Sequence, residues 1–226
     1  MAGSERVIVV GGGGFGRELM CWVEDCAAAG RLPQLAGFID DRSDELPGYA
    51  PRLGAVMDFE PQPGDLLALA IAKPATKRKV TGLLKDRGAQ FTAVIHPSTT
   101  VVRTATIGEG LILCPQAMLM PDSRTDRFVT ILNFSGVGHD SVVGEFTTFS
   151  SLCDVTGNVT VGADVFVGAG ARLLPGIKVG DGALIGAGAT VVRSVKPGNT
   201  VYSAPPKTLK GAGGADKVRD SEAEGA

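Results

Sequence analysis

Large apolar side chains recur every six residues from residue 95 onward. Stepping by six from Ile95 to Val191 gives seventeen positions, of which sixteen are large and apolar and one is Thr125. Four residues beyond each of these positions the side chain is mostly small, and glycine often follows directly. Hydrophobic residues make up only 44% of the chain, so chance is a poor explanation of this period. The pattern predicts short strands joined by tight corners, with the apolar side chains inside.

Strands of this kind stack into a solenoid, in which neighbouring coils share backbone hydrogen bonds at a spacing of about 4.8 Å. A β-sandwich would instead show a period of two, interrupted every 8–12 residues or so. The six-residue repeat resembles that of the hexapeptide-repeat acyltransferases, which are all-β left-handed parallel β-helices with three hexads per coil. This resemblance implies a β-helix domain over residues 95–200.

The first part of the chain, residues 1–94, alternates strand-like and helix-like segments. Short apolar runs lie at residues 6–10, 36–39 and 66–72, and amphipathic segments lie at 17–29 and 76–87. This order predicts a small α/β domain of the Rossmann-like βαβ type with a parallel sheet. Residues 201–226 are polar and glycine-rich, and they predict a C-terminal tail that is largely disordered at its end.

A glycine-rich turn follows the first predicted strand and reads Gly-Gly-Gly-Gly-Phe-Gly from residue 11. Its spacing fits GxGxxG, and the backbone N–H groups of Gly13, Gly14 and Phe15 could cradle the phosphates of a nucleotide-sugar. Asp40 or Asp41, after the second strand, would then accept hydrogen bonds from the base or ribose. An NAD site is an alternative, although fewer than 100 residues precede the repeat. A tight turn without a ligand is another.

Charge and composition narrow the classes of partner. The formal net charge of −2 offers no general attraction to nucleic acid or to an anionic membrane. No apolar run reaches the roughly 18 residues of a membrane span, and the N-terminus has no signal-type pattern. The four cysteines show neither CxxC nor metal-finger spacing, so we expect reduced thiols and a cytoplasmic protein.

Two histidines are the candidates for proton transfer. His96 precedes Pro97 at the first predicted corner and is expected to cap or pack there. His139 is third in its hexad, where side chains point outward, and Asp140 follows it. A carboxylate beside an exposed imidazole fixes its tautomer and stabilises the imidazolium. Taken alone, such a pair is also compatible with an ordinary polar surface.

The sequence around His139, ILNFSGVGHDSVVG from residue 131, decides between these interpretations. Together with the glycine-rich βα unit, it is similar to the bacterial sugar acetyltransferases that include bacillosamine and perosamine N-acetyltransferases and sialic-acid O-acetyltransferases. The resemblance implies that His139 is the general base and that Asp140 orients it. It also implies acetyl-CoA as the donor, bound in a groove between neighbouring subunits of a homotrimer. Donor contacts would come from Ala169, Ala187 and Thr148, the last of which stands where some relatives carry a second histidine.

Gly157 lies eighteen residues after His139, which is one full coil of the predicted solenoid. Its backbone N–H is therefore expected beside the imidazole, where it would act as an oxyanion-type donor to the thioester oxygen. Small residues at these corners are equally consistent with simple packing.

The expected function is acetyl-CoA-dependent N-acetylation of the amino group of a UDP- or GDP-linked 4-amino-4,6-dideoxyhexose. The product, related to perosamine or a bacillosamine precursor, would serve bacterial surface glycans such as the lipopolysaccharide O-antigen. Sialic-acid O-acetylation is an alternative of the same class, and a non-catalytic hexapeptide scaffold is an alternative of another. A zinc lyase of the carbonic anhydrase type would need three histidines, and the chain has two. No metal cofactor is expected.

Overall fold

The structure of the chain, a computed structural model, describes residues 5–42 and 45–204. The tail predicted over residues 201–226 lies outside the described residues from residue 205 onward. No helix in the described part is long and apolar enough to cross a membrane.

The N-terminal part is a five-stranded parallel sheet flanked by two helices. Its strands, in the spatial order β3-β2-β1-β4-β5, are β1 (Arg6–Val10), β2 (Leu35–Ile39), β3 (Arg52–Gly54), β4 (Asp65–Leu69) and β5 (Gln90–Phe91). The helices are α1 (Gly14–Ala28) and α2 (Pro74–Asp86), and a short 3₁₀ turn covers Val56–Asp58. Helix α1 begins three residues earlier than predicted because the glycine run itself forms its first turn. Strand β3 was not predicted, since three residues are too few to show a period.

The rest of the described chain is a parallel β-solenoid with three sheets, and each full coil contributes one strand to each sheet. Face 1 contains β6 (Val94–Ile95), β8 (Ile112–Leu113), β11 (Thr130–Ile131), β14 (Thr148–Phe149), β17 (Phe166–Val167), β20 (Leu184–Ile185) and β22 (Thr200–Val201). Face 2 contains β7 (Thr100–Val101), β9 (Met118–Leu119), β12 (Gly136–Val137), β15 (Asp154–Val155), β18 (Arg172–Leu173) and β21 (Thr190–Val191). Face 3 contains β10 (Arg124–Thr125), β13 (Val142–Val143), β16 (Thr160–Val161) and β19 (Lys178–Val179).

The predicted period sets both the register and the core of this solenoid. Strand partners are eighteen residues apart, as in the pairing of Thr130 with Thr148. Most of the residues spaced by six are buried in one continuous core, and even Thr125 is only 3% exposed. Val101 and Ile107 are the clear departures, at 39% and 40% exposure, because they lie at the open first end of the solenoid.

The corners between the faces rely on left-handed backbone at residues that are not glycine. Nine such residues have a φ between 56° and 63°, and all lie one hexad apart in the solenoid: Gln116, Asp122, Phe128, Phe134, Asp140, Phe146, Leu152, Asn158 and Asp164. This conformation costs a non-glycine residue roughly 1–2 kcal/mol. From Phe128 onward, the backbone N–H of each of these residues donates a hydrogen bond to a carbonyl of the preceding coil, as from Asn158 to His139 at 2.8 Å. These hydrogen bonds offset part of the conformational cost.

The N-terminal part packs against face 1 and against the corner where face 3 leads into face 1. Residues of α1 share a core with Val94 and Ile112 on face 1. At the corner, the ring of Phe91 meets Phe128 edge-on with 5.1 Å between centroids, and Phe128 stacks on Phe146 at the same distance. Faces 2 and 3, and the corner between them, are left uncovered by the N-terminal part.

Candidate functional site

His139 and Asp140 lie together at the corner between faces 2 and 3. The Nδ1 atom of His139 is 2.8 Å from Oδ2 of Asp140, and the two side chains are 59% and 54% exposed. A carboxylate accepts hydrogen bonds only, so in the neutral imidazole this contact favours the tautomer with its proton on Nδ1 and its lone pair on Nε2. The left-handed backbone of Asp140, with φ of 58°, turns its carboxylate back toward the preceding ring.

Gly157 lies directly against the imidazole in the next coil. A β-carbon built on Gly157 would fall 2.5 Å from Cε1 of His139 and closer still to Nε2. Only glycine therefore leaves room for the ring in this position. Within the described residues the Gly157 N–H donates no hydrogen bond, and its carbonyl accepts one from Gly176 N at 3.2 Å. A backbone N–H without an acceptor, on the residue that packs against the imidazole, is available to stabilise an oxyanion.

An open groove of about 440 Å³ runs along face 2 beside this corner. Its lining is mainly apolar and includes Met118, Met120, Val137 and Val155 around His139 and Gly157. Gly136 adds no side chain to this face, and a β-carbon there would only touch its strand neighbour Met118, at 3.4 Å from Cε. The groove thus brings an apolar channel to Nε2 and to the Gly157 N–H.

A second cavity of about 570 Å³ lies at the carboxyl ends of β1, β2 and β4, where the strand order of the N-terminal sheet reverses. Crevices of this kind are the usual ligand sites of parallel α/β sheets. Gly11, Gly13, Asp40 and Asp41 line it, and Lys73 adds a positive charge. We call this cavity the N-terminal cleft.

Hydrogen bonds from backbone N–H groups to Asp40 and Asp41 fix the loops around the N-terminal cleft. Oδ2 of Asp40 accepts a hydrogen bond from Gly12 N at 2.7 Å, and its Oδ1 accepts one from Arg42 N at the same distance. Asp41 accepts a hydrogen bond from Met57 N at 3.0 Å. A β-carbon on Gly13 would meet nothing within 4 Å. The turn therefore leaves open space at the N-terminus of α1, where unpaired N–H groups favour an anion.

Comparison with known proteins identifies the family. Residues 158–193 match the family "Bacterial transferase hexapeptide (six repeats)". GDP-perosamine N-acetyltransferase of Escherichia coli O157:H7 is 29% identical over 109 residues, which is 48% of this chain and 49% of that protein. The chain thus aligns with about half the length of that curated relative.

Two solved structures match nearly the whole chain. PerB from Caulobacter crescentus, in complex with CoA and GDP-perosamine, has a TM-score of 0.78 at 27% identity and covers 92% of this chain and 97% of its own. WeeI from Acinetobacter baumannii AYE has a TM-score of 0.79 at 31% identity and covers 91% of this chain and 100% of its own. The chain belongs to the hexapeptide-repeat bacterial sugar acetyltransferases.

Within this acetyltransferase fold, the predicted site residues fall into four separate places, the fourth being that of Thr148 on face 1 beneath α2. His139, Asp140 and Gly157 share the corner between faces 2 and 3. Of the predicted substrate residues, Gly13, Asp40 and Asp41 line the N-terminal cleft, whereas Gly14 and Phe15 begin helix α1 and are not part of its lining. Among the latter, the ring of Phe15 packs toward Trp22, with 6.3 Å between centroids, so only its backbone faces the helix terminus. Ala169 and Ala187 are exposed at the corner between faces 1 and 2, along the other edge of face 2 from His139.

Thr148 is a correction to the predicted donor contacts. It lies on face 1 beneath α2, is fully buried, and its Oγ1 accepts a hydrogen bond from Lys77 Nζ at 2.7 Å. Because the N-terminal part covers it, its side chain is unavailable to a donor molecule in the groove of face 2. The missing second histidine in this hexad was the sequence signal that its role differs here.

Several groups at these sites escaped the sequence prediction. Lys73 and Thr76 line the N-terminal cleft because α2 starts at the same sheet edge as α1. Their signal was their position directly after a predicted strand, since parallel strands end at one edge. Lys77 is 1% exposed and shares the buried face of α2 with Thr81 and Leu84. The sequence signal for the burial of Lys77 was its position on the face of the predicted helix that also carries Leu84.

The cysteine thiols and the possible metal ligands are the other candidate reactive groups of the described residues. All four cysteines are free, and burial raises the pKa of Cys153 to about 11, so its thiol stays protonated and unreactive. In the part of the chain that the structure describes, no three His, Cys, Asp or Glu side chains cluster as metal ligands.

Proposed function

We propose that this chain is an acetyl-CoA-dependent N-acetyltransferase that acts on the amino group of a nucleotide-linked 4-amino-4,6-dideoxyhexose. The observation that carries the proposal is the imidazole of His139, held by Asp140 at 2.8 Å and packed against Gly157, whose N–H donates no hydrogen bond within the described residues. GDP-perosamine is the first acceptor to test, because the curated relative is named for it and PerB was solved with it. UDP-linked sugars of the bacillosamine type are the second.

In this mechanism, the acceptor amine attacks the thioester carbon while His139 Nε2 takes one of its protons. A C–N bond forms, and the thioester oxygen becomes an oxyanion that the Gly157 N–H stabilises. Collapse of this intermediate breaks the C–S bond and releases coenzyme A as a thiolate, which His139 then protonates. Asp140 stabilises the imidazolium between these two proton transfers. No covalent enzyme intermediate is required.

The N-terminal cleft and the groove on face 2 would each bind one of the two substrates. The N-terminal cleft, with the α1 terminus and Lys73, suits the diphosphate of the nucleotide-sugar. The apolar groove on face 2 suits the pantetheine arm of acetyl-CoA, with Ala169 and Ala187 offering accessible backbone farther along. On this basis we assign residues 1–94 to nucleotide-sugar binding, as a Rossmann-like unit, and residues 95–200, as a left-handed β-helix, to acetyl transfer.

The positions of these two regions favour a homotrimer. The N-terminal part packs against face 1, whereas His139 lies at the corner between faces 2 and 3, which is opposite face 1 in a three-sided coil. The cleft and the base of one chain therefore lie on different sides of the solenoid. We propose that the cleft of one subunit serves His139 of its neighbour. Exposed apolar residues on face 2 and the neighbouring corner, Met118, Phe134 and Leu152, suit such an interface.

The compartment follows from the substrates. Acetyl-CoA and nucleotide-sugars are cytoplasmic metabolites, and all four cysteines are free thiols. We therefore propose that the enzyme acts in the cytoplasm and supplies acetylated sugars for bacterial surface glycans.

The decisive experiment is an acetyl-transfer assay with the purified chain. Release of coenzyme A would be followed with GDP-perosamine, a UDP-linked 4-amino sugar, the matching 4-hydroxy sugars and sialic acid. The proposal requires turnover with one of the nucleotide-linked amines and a product that gains one acetyl group on nitrogen by mass spectrometry. Turnover with sialic acid alone would establish O-acetylation instead, and no turnover with any acceptor would favour a scaffold.

A further inference from the structure

Helix α2 lies lengthwise along face 1 of the solenoid. Near its first turn, Pro74 and Ala75 share a pocket with Phe166 and Leu184, and near its last turn Lys85 Nζ lies 2.6 Å from Glu109 Oε2. A helix of thirteen residues is about 20 Å long. The coils from β8 to β20 span four intervals of about 4.8 Å, or about 19 Å. The helix therefore crosses the coils one after another rather than resting on one of them.

A repetitive surface creates a register problem for such a helix. The outward positions of face 1 recur every eighteen residues, and four of them are the apolar residues Val94, Ile112, Phe166 and Leu184. An apolar helix face packs on such a surface with little preference between one coil and the next. A displacement by one coil would move the start of α2, which carries Lys73 and Thr76 at the N-terminal cleft, by about 4.8 Å.

Two outward positions of face 1 differ from these, and Lys77 is bonded to both. Thr130 and Thr148 are fully buried under α2, and Lys77 Nζ donates to Thr130 Oγ1 at 2.8 Å and to Thr148 Oγ1 at 2.7 Å. A third bond reaches the Phe128 carbonyl at 3.1 Å. These bonds can form at only one place along the solenoid, because no other neighbouring pair of outward residues on face 1 is polar and covered.

The chemistry of Lys77 fits a role in register better than a role in stability. The ammonium is 1% exposed and has no carboxylate within ion-pair distance among the described residues. Burial lowers its pKa from 10.5 to about 7, because the charged form is unfavourable away from water. Apolar replacements of buried charges are often neutral or stabilising, whereas a buried polar group that fixes register is a well-attested device.

We infer that Lys77, seated on Thr130 and Thr148, is the positioning residue that fixes where the nucleotide cleft sits along the solenoid. Thr130 begins the coil that carries His139, and Thr148 begins the coil that carries Gly157. The hydrogen bonds of Lys77 thus fix the position of the N-terminal cleft relative to the two coils that carry His139 and Gly157. This inference rests on the proposed function for its consequence in catalysis, and its structural part is independent of it.

The test replaces the polar side chains of Lys77, Thr130 and Thr148 by apolar ones of similar shape. Lys77→Met/Thr130→Val/Thr148→Val removes the bonds without leaving a buried polar side chain unpaired. Lys79→Met, on the exposed side of the same helix, is the matched control. The first measurement is zero-length carbodiimide cross-linking of Lys85 to Glu109, which lie 2.6 Å apart, quantified by peptide mass spectrometry. The wild type and the control should give this cross-link, and the triple variant should lose most of it while remaining folded.

The second measurement compares a nucleotide-linked amino sugar with the same amino sugar lacking the nucleotide, which does not use the cleft. In the triple variant, kcat for the nucleotide-linked acceptor should fall about 10- to 100-fold, and kcat/KM for the free sugar should stay within about twofold. An unchanged cross-link yield, or an equal change for both acceptors, overturns the inference. A wild type that cross-links normally but acetylates no nucleotide-linked amine refutes the proposed function and leaves the register assignment in place.

Discussion

Gly157 and His139 are one coil apart and in van der Waals contact, with the imidazole lying over the face of the glycine. A methyl group on Gly157 would lie 2.9 Å from Cδ2 of the ring and closer to Nε2. Gly157 does not have a positive φ, so its glycine identity is explained by this contact rather than by its backbone. Gly157 therefore leaves room for the imidazole and also carries the N–H that we propose as the oxyanion donor.

The first prediction follows from this contact. Gly157→Ala should fold normally but displace the imidazole from its place beside the N–H, because the methyl group and ring cannot share the space. A misplacement of about 1 Å costs up to about 100-fold in rate, and we expect a fall in kcat of that order. Steady-state kinetics and a thermal melt are the measurements. Gly82→Ala, where the new methyl group meets nothing within 4 Å, is the control and should retain full activity.

The second prediction concerns the base. His139→Ala should lower kcat by about 10²–10⁴-fold with little change in KM, which is the usual contribution of a general base. Asp140→Asn should cost less, because the amide can still hold the ring through its oxygen but no longer stabilises the imidazolium. Rates are compared under saturating acetyl-CoA. Near-wild-type kcat for His139→Ala at neutral pH would remove His139 from the mechanism.

The pH dependence of His139→Ala separates an amine from a hydroxyl acceptor. An amine is increasingly deprotonated as pH rises, so it needs less help and the deficit of the variant should shrink at high pH. A sugar hydroxyl, whose pKa lies far above the accessible range, gives no such recovery. A deficit that stays constant from neutral to alkaline pH would therefore argue for O-acetylation.

The solenoid was the most predictable part of the chain because its signal is repetitive. Two positions in each hexad face the core, and the larger of them is apolar almost throughout, so a single defect such as Thr125 leaves the period recognisable. The spacing of eighteen residues also placed Gly157 beside His139, since identical coils stack in register. The six-residue period does not predict which face of the solenoid the N-terminal part covers. Thr148 was misassigned for that reason, because its burial depends on a helix from elsewhere in the chain.

The third prediction tests the N-terminal cleft. A leucine at Gly13 would project into open space at the terminus of α1, and the φ of −69° there suits any residue. Gly13→Leu should therefore fold and weaken binding of a nucleoside diphosphate by about 10-fold or more, with coenzyme A binding unchanged. Calorimetric titration with GDP, UDP and coenzyme A measures this directly. Equal loss of both ligands in a folded variant would contradict the division of labour between the two regions.

The fourth prediction is a pH-dependent stability that originates at Lys77. Its pKa is lowered to about 7 in the folded chain, chiefly by burial, with the charge of Asp164 acting in the opposite direction. An unfolded lysine titrates near 10.4, so between about pH 7 and 10 the unfolded chain binds the extra proton. Stability should then rise with pH in this window, by at most about 1.4 kcal/mol per pH unit from this group.

The measurement for Lys77 is a set of urea melts from pH 6.5 to 9.5. The slope of unfolding free energy against pH should be more positive in the wild type than in Lys77→Met, while Lys79→Met should follow the wild type. Other charged groups near α2, including Arg78 with Asp164 and Glu145, are common to all three chains and cancel in the comparison. Parallel curves for wild type and Lys77→Met would show that Lys77 does not titrate in this range.

The last prediction tests whether one active site draws on two subunits. If the cleft of one chain serves His139 of its neighbour, then Gly13→Leu and His139→Ala damage different halves of the same site. Mixed oligomers would contain some interfaces that pair an intact cleft with an intact base, so co-refolding the two weak variants should restore measurable turnover. Each variant refolded alone is the control and should stay weak. A site built within one chain would give no gain on mixing, because every chain would carry a defect in its own site. The face packed by the N-terminal part lies opposite the corner of His139, and this arrangement is why we expect the gain.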